Sequence, residues 1–334
     1  MLINGEVNAM NDILQDCIFN SYFNRNMIQF LEYKRSTGSK YKTEENLLRQ
    51  FDIFVQTFFP GEGILTKILV QGWTARKSEE SNSTWRARTS LLRQFGMFLN
   101  NMGILAYVPT FTGKSKGSTF VPYIFSDMEL EKFFHACDQI DVHCISHMDT
   151  LFPVIMRLLY GCGLRISEAL NLRNCDVDLN TGVVSILDSK FSKDRLVIMS
   201  DSLLEVISTY SQNNKYSVES IEHLFINGRY GVPKASTIYG RYRKVLWSAG
   251  ISHGGKGKGP RLHDFRHTFA VHSLRSMVKQ KIDIYVVLPI LSTYMGHASI
   301  EATEKYLRLT PDIYPELLEL TEKMSSYVFP EVSL

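Results

Sequence analysis

The stretch Pro109–Val121, PTFTGKSKGSTFV, constrains the fold more than any other feature of the chain. It is rich in proline, glycine, serine and lysine and poor in large apolar residues, so it neither packs a core nor sustains a helix. A chain of 334 residues interrupted there reads as two domains, each long enough to bury a core of its own. The expected division is a helical unit over 1–108, a linker over 109–121 and a second unit over 122–334.

Before the linker, apolar residues recur at three- and four-residue spacing: Met27, Phe30, Leu31; Leu47, Leu48, Phe51, Phe54, Val55; Ile64 to Trp73; and Leu91, Leu92, Phe95, Phe98, Leu99. Four amphipathic helices forming a small bundle follow from that pattern. Gly38, Pro60-Gly61 and Ser81-Asn82-Ser83 punctuate them, and Ser83 or Thr84 is the expected cap of the last, whose polar face carries Arg86, Arg88 and Arg93. Beyond the linker, Ser126–Cys137 and Leu151–Gly161 read as helices. A hairpin-like pair follows, Gly182–Asp188 and Arg195–Met199, around a polar turn with Lys190 and Lys193. More helices run to the C-terminus, so the fold class is mainly α with one small β-sheet.

Hydrophobic residues at 44% and charged residues at 21% exclude a disordered chain. The five cysteines are scattered with no C-x-x-C pair, which argues against a zinc or redox motif and fits a reducing cytoplasm. The apolar stretches Leu151–Leu164 and Ile282–Leu291 are too short or interrupted to span a membrane. A net charge of +3 identifies no partner, but its distribution is lopsided: Ile226–Lys281 holds twelve Lys/Arg against the single acid Asp264, whereas Glu301–Leu334 holds seven acids against three bases. A basic run of this kind is either a solvated face or a surface for an anion such as DNA.

Six polar residues of the second unit stand in the order Arg165, Lys190, His263, Arg266, His297, Tyr306. Taken singly, each has an ordinary structural explanation as a surface charge, a satisfied histidine or a packed tyrosine. Together they suit phosphoryl transfer without a metal. Two planar guanidiniums can clamp the charge that builds on nonbridging phosphate oxygens. A tyrosine can be the nucleophile, but its phenol is only about one part in a thousand ionised at neutral pH, so it needs a positive site and help with its proton. A lysine on a hairpin turn can protonate the leaving oxygen.

The segments R-I-S-E-A-L, H-D-F-R-H-T-F-A and Y-M-G-H-A-S-I-E-A-T-E-K-Y, with nine residues from His297 to Tyr306, resemble the signature boxes of the tyrosine recombinases, the integrases of phages, transposons and bacterial Xer systems. The resemblance is specific over about Leu158–Leu309 and generic in the N-terminal bundle, which resembles the helical, SAM-like core-binding domain of that family. It implies a two-domain clamp on double-stranded DNA that cuts and rejoins strands through a 3′-phosphotyrosine and a four-way junction, for a mobile element, with no metal and no cofactor. Tyr306 would then be the nucleophile, Arg165 and Arg266 would bind the scissile phosphate, His297 would donate to it, His263 would assist proton transfer and Lys190 would be the general acid, with Lys193 the alternative. Glu168 would orient Arg165. Arg86, Arg88, Arg241, Arg243, Lys244, Lys256 and Lys258 are the expected DNA contacts.

The resemblance further implies a homo-tetramer on DNA, possible accessory recombination proteins and no membrane. The amphipathic tail Pro311–Leu334 is expected to dock on a neighbouring protomer, the alternative being that it closes its own domain. Two other readings stand beside it: a noncatalytic DNA-binding accessory protein of the same fold, which would lack the nucleophile or an arginine, and a type IB-like topoisomerase, which shares the tyrosine and arginines but which the short chain, the Tyr294–His297 box and the N-terminal bundle disfavour. A purely structural helical protein is the third.

Overall fold

The computed structural model describes residues 19–110, 121–141, 147–187, 194–213, 223–227, 231–255, 259–297 and 299–307. The expected linker apart from its ends, the hairpin turn with Lys190 and Lys193, Lys256, Lys258 and the acidic tail lie outside the described residues. The chain divides into two compact units, Met1–Ser118 and Thr119–Leu334.

The first unit contains helices α1 (Asn24–Ser36), α2 (Lys42–Phe58), α3 (Lys67–Thr74) and α4 (Asn82–Asn101). Their apolar stripes meet in one core of Phe23, Phe30, Leu48, Phe51, Leu69, Val70, Leu92 and Phe95, with edge-to-face contacts such as Phe23 on Phe95 at 6.2 Å. Asp52, buried on α2, accepts the backbone N–H groups of Asn20 and Ser21 at 2.8 and 3.0 Å, which ties the start of the described chain to the bundle. The cap of α4 is Ser81, not Ser83 or Thr84: its hydroxyl accepts from Thr84 N at 3.1 Å.

Arg88 corrects an expectation. It is 2% exposed, pairs with Glu80 at 2.6 Å through both Nε and Nη2, donates to the carbonyls of Trp73 and Ala75, and lies over the Trp73 ring. A guanidinium consumed in this way has little left for a DNA phosphate. The reason is helical geometry: residues 88, 92, 95 and 99 share one face of α4, and that face is the core. Arg86 is half-buried and Arg93 donates to the Pro109 carbonyl at 3.0 Å.

The second unit is mostly helical with a two-stranded sheet. Its elements are α5 (Asp127–Asp138), α6 (Met148–Gly161), α7 (Ile166–Leu170), β1 (Val183–Ile186), β2 (Arg195–Ile198), α8 (Asp201–Asn213), α9 (Ala235–Ser248), α10 (Asp264–Lys279), α11 (Ile284–Met295) and α12 (Glu301–Leu307). Ser126 and Glu129 form a reciprocal capping box at the start of α5. The strands pair antiparallel, Val183 opposite Ile198 and Ile186 opposite Arg195, and Val184, Ile186 and Val197 face the core. Helix α6, apolar nearly all round, is central and packs on α5, α7, α8 and α10. A second cluster, Ala270, Val271, Leu274, Val287, Leu288, Leu291, Met295 and Tyr306, joins α10, α11 and α12. No helix among the described residues is long and apolar enough to cross a membrane.

Replacing Arg88 with methionine leaves Glu80 without its buried partner and should destabilise the first unit by about 3 kcal/mol, whereas Arg86→Ala should change it by under about 0.5 kcal/mol. Differential scanning calorimetry of both variants checks this; an Arg88→Met protein with an unchanged transition would contradict the assignment.

Candidate active site

Helix α11 ends in a set of carbonyls that no further turn of the helix can bond. Gly296 turns the chain with φ +62° and ends the helix, which leaves its last backbone acceptors for partners from elsewhere. Three arginines take them. Arg195 Nε donates to the Tyr294 carbonyl at 2.8 Å, Arg266 Nη2 donates to that of Met295, and Arg165 Nη2 donates to that of Gly296 at 3.3 Å. A side chain at 296 would press on Arg195, whose Cδ and Nη1 lie 3.1 Å from where its Cβ would stand.

Each arginine comes from a different element. Arg165 is the N-cap residue of α7, and its backbone N–H donates to Glu168 at 2.9 Å, so the same carboxylate that caps the helix also pairs with the Arg165 guanidinium at 2.5 Å. Arg266 lies in the first turn of α10 on the stripe of Ala270 and Leu274; it is 1% exposed and also donates to the Gly163 carbonyl at 2.7 Å. Gly163 has φ +60°, and a Cβ there would sit 2.5 Å from the Phe269 ring, so this approach of backbone to α10 requires glycine. Arg195 is the inward-facing first residue of β2 and grips Glu168 with two nitrogens, at 3.1 and 2.8 Å. The fork is bidentate and buried.

Among the described residues, Glu168 is the carboxylate that pairs with these arginines. Burial alone would raise its pKa, but the hydrogen bonds from Arg195 and from the Arg165 backbone, with the charges of both arginines, hold it at about 2. Burial, reinforced by Arg165, lowers Arg266 to about 10, which still leaves it charged at neutral pH. Arg165 is the most open of the three, with 21% of its side chain exposed.

The histidines and the tyrosine gather against these cations. His297 follows Gly296, and its Nδ1 lies 2.7 Å from the buried Thr303 hydroxyl, an arrangement that fixes the ring and leaves Nε2 for another partner. Its ring stacks on Tyr306 at 6.0 Å. Tyr306 is 4% exposed, on α12, and its Oη lies 3.0 Å from His267 Nδ1. His263 stands edge-on to His267 at 4.7 Å. Burial, then the charge of Arg266, holds His263 and His297 at about 4; burial, then His263, holds His267 at about 3. Burial raises the Tyr306 phenol while Arg266 and Arg165 pull it back.

Five of the six residues expected from sequence are thus brought together, Arg165, His263, Arg266, His297 and Tyr306, with Glu168 pairing Arg165; Lys190 lies outside the described residues. Arg195 and His267 were missed. Of the expected DNA contacts on α9, Arg243 and Lys244 are exposed and Arg241 is half-buried, beside a Trp247 that is 85% exposed; Lys256 and Lys258 lie outside the described residues.

Residues 124–312 match the phage integrase family. Over 319 residues the chain is 27% identical to a putative integrase/recombinase y4rB of Sinorhizobium fredii, covering 91% of this chain and 98% of that one. It is 30% identical over 177 residues to the tyrosine recombinase XerA of Pyrococcus furiosus, covering 52% of this chain and 56% of that one. Among solved structures, the XerH site-specific recombinase bound to palindromic difH substrate aligns with a TM-score of 0.61 at 18% identity, covering 83% of this chain and 80% of that one. The Tn1549 transposon integrase in complex with transposon right end DNA aligns at 0.59 and 16% identity, covering 83% and 92%. At these identities the structural likeness speaks for the fold.

Replacing Arg195 with methionine removes two donors from buried Glu168 and one from the end of α11, and should cost about 3 kcal/mol in urea unfolding. Arg195→Lys should recover little, because one ammonium cannot span Glu168 and the Tyr294 carbonyl as the guanidinium does. Full recovery by lysine would show that charge alone matters. The three neutral histidines set a pH dependence of known sign. Their folded pKa values lie below the ordinary 6.5, so their contribution is complete above pH 6.5 and is lost as pH falls toward about 4. His263→Gln should therefore flatten the loss of unfolding midpoint between pH 6.5 and 4, and an unchanged slope would contradict it.

Proposed function

The chain belongs to the phage integrase family and is a tyrosine site-specific recombinase, an enzyme that breaks and rejoins DNA strands; on that premise we propose that Tyr306 is its nucleophile. Attack of the Tyr306 oxygen on a scissile phosphate displaces the 5′ oxygen and gives a 3′-phosphotyrosine and a free 5′ hydroxyl. That hydroxyl then attacks the matching linkage on a partner duplex and expels the tyrosine. Each exchange trades one phosphodiester for another through a linkage of similar energy, so no nucleotide is consumed.

The observation that carries this reading is the convergence of Arg165, Arg266, His297 and Tyr306 around the end of α11, where positive charge exceeds negative. A phosphodiester supplies the missing negative charge. Arg165, the exposed member, meets the phosphate first; Arg266, held beneath it by two carbonyls, adds fixed charge in a site of low dielectric. His297, its Nδ1 engaged by Thr303, donates to a nonbridging oxygen from Nε2. His263 assists proton transfer, and Lys190 protonates the leaving 5′ oxygen. Glu168 keeps Arg165 in register through the same carboxylate that caps its helix.

Double-stranded DNA is the proposed substrate, held through phosphates by Arg86, Arg241, Arg243, Lys244, Lys256 and Lys258, and binding of this type weakens steeply with salt. Four copies on two duplexes supply the four cleavages that a full exchange needs, by way of a four-way junction. A mobile element is the proposed host, with accessory recombination proteins as partners and the cytoplasm as the compartment.

A nicked suicide substrate carrying the native element ends traps the intermediate, because the released fragment diffuses away before rejoining. The wild type in EDTA should give a covalent protein–DNA band on a denaturing gel, and Tyr306→Phe should give none while still shifting the DNA. Absence of the band from a wild type that binds the DNA would favour a noncatalytic DNA-binding protein of the same fold.

A further inference from the structure

The residue that touches the Tyr306 hydroxyl is none of those singled out by sequence. His267 Nδ1 lies 3.0 Å from Tyr306 Oη, and the two rings stand 5.5 Å apart at 53°. His297 stacks against the phenol ring and is hydrogen-bonded to Thr303; His263 meets His267, ring edge to ring face. Because His267 follows Arg266 directly in α10, one rigid helix fixes both the deepest phosphate-side cation and the partner of the phenol.

The surroundings set the charge of His267, and its tautomer then sets the direction of that hydrogen bond. Burial, His263, Arg266 and His297 all oppose a charge on His267 and hold its pKa at about 3, so the imidazole is neutral and one ring nitrogen is an acceptor. With Nδ1 as that acceptor, the single phenolic hydrogen points at His267 and the oxygen lone pairs point elsewhere, away from α10. We propose that His267 is a further catalytic residue, which accepts the Tyr306 hydroxyl hydrogen and so orients the oxygen lone pair for attack on the phosphate. The proposal rests on Tyr306 being the nucleophile.

Magnitudes decide between orientation and proton removal. An imidazole held at about 3 facing a phenol raised above its ordinary value strongly disfavours full transfer. His267 therefore acts as a hydrogen-bond acceptor that sets geometry, and proton removal falls to other groups. Orientation of a reacting atom is worth one to two powers of ten in rate when a hydrogen bond fixes it.

Two substitutions separate this role from simple packing. His267→Asn places an amide oxygen near the position of Nδ1 and keeps an acceptor; His267→Leu fills similar space without one. With the nicked suicide substrate at saturating protein, the covalent rate should fall about ten- to hundredfold in His267→Leu and stay within about fivefold of wild type in His267→Asn. DNA affinity should be unchanged in both. A wild-type rate in His267→Leu overturns the proposal, and so does an equal loss in both variants with melting and DNA binding preserved. If either variant fails to fold, nitrogen-15 spectra of the wild-type imidazoles decide: a folded protein with unprotonated Nδ1 on His267 supports the role, and a protonated Nδ1 overturns it. Failure of the nucleophile assignment looks different, since the wild type itself would then give no covalent band.

Discussion

Everything around the candidate centre depends on the carboxyl end of α11. A helix ends with backbone carbonyls that its own N–H groups cannot reach, and with the negative end of its dipole. Here the acceptors of Tyr294, Met295 and Gly296 each take one arginine, from β2, α10 and the start of α7 respectively. Three pieces of chain distant in sequence are thereby pinned to a single turn of backbone. The price is concentration of like charge, and one buried glutamate relieves it only in part: among the described residues, Glu168 pairs with Arg165 and Arg195 while Arg266 has carbonyl partners. The centre is preorganised and electrically incomplete.

That incompleteness sets the state of everything that titrates nearby. His263, His267 and His297 are held neutral by burial and by surrounding positive charge, and the Tyr306 phenol is pushed one way by burial and the other by Arg266 and Arg165. An anion entering the centre would offset the arginines that repel the imidazolium forms, and would raise the three imidazoles and the phenol alike, while burial keeps its larger effect on each. The apolar cluster of α10, α11 and α12 gives this electrostatics a rigid frame, because Tyr306 belongs to the same buried cluster as Met295, whose carbonyl receives Arg266.

Much of this architecture was legible. Spacing of three and four marked the helices of the first unit, Ser126–Cys137 read as the helix that became α5, and the pair Gly182–Asp188 and Arg195–Met199 around a polar turn marked the β1–β2 hairpin. The three boxes brought Arg165, His263, Arg266, His297 and Tyr306 into view because their chemistry is unusual as a set. Arg88, Arg195 and His267 were misread or missed for a shared reason: a polar residue on an apolar stripe looks like noise when polarity is read as exposure. Arg88 sits in phase with Leu92, Phe95 and Leu99, Arg195 alternates inward with Val197, and His267 is in phase with Val271 and Leu274. Phase, rather than polarity, carried the signal at these positions. The carbonyl acceptors were invisible for a different reason, since backbone groups acquire positions only once α11 and its Gly296 turn exist.

The two buried arginine clusters show what separates a strut from a site. Arg88 has one carboxylate, Glu80, at 2.6 Å, two carbonyls and an aromatic face, so its charge is matched where it stands. At the end of α11 two of three guanidiniums share one carboxylate, and among the described residues the third, Arg266, is met by the partial charges of carbonyl groups. Burying uncompensated charge is costly, and a fold selected for stability alone would have supplied more carboxylates or fewer arginines. No cluster of histidine, cysteine and carboxylate among the described residues could take a metal ion, and the excess here has the opposite sign from one that would attract a cation. Among the described residues the charge at this end of α11 is unmatched, and on the proposed reading its complement is an anion with several oxygens, such as a phosphodiester.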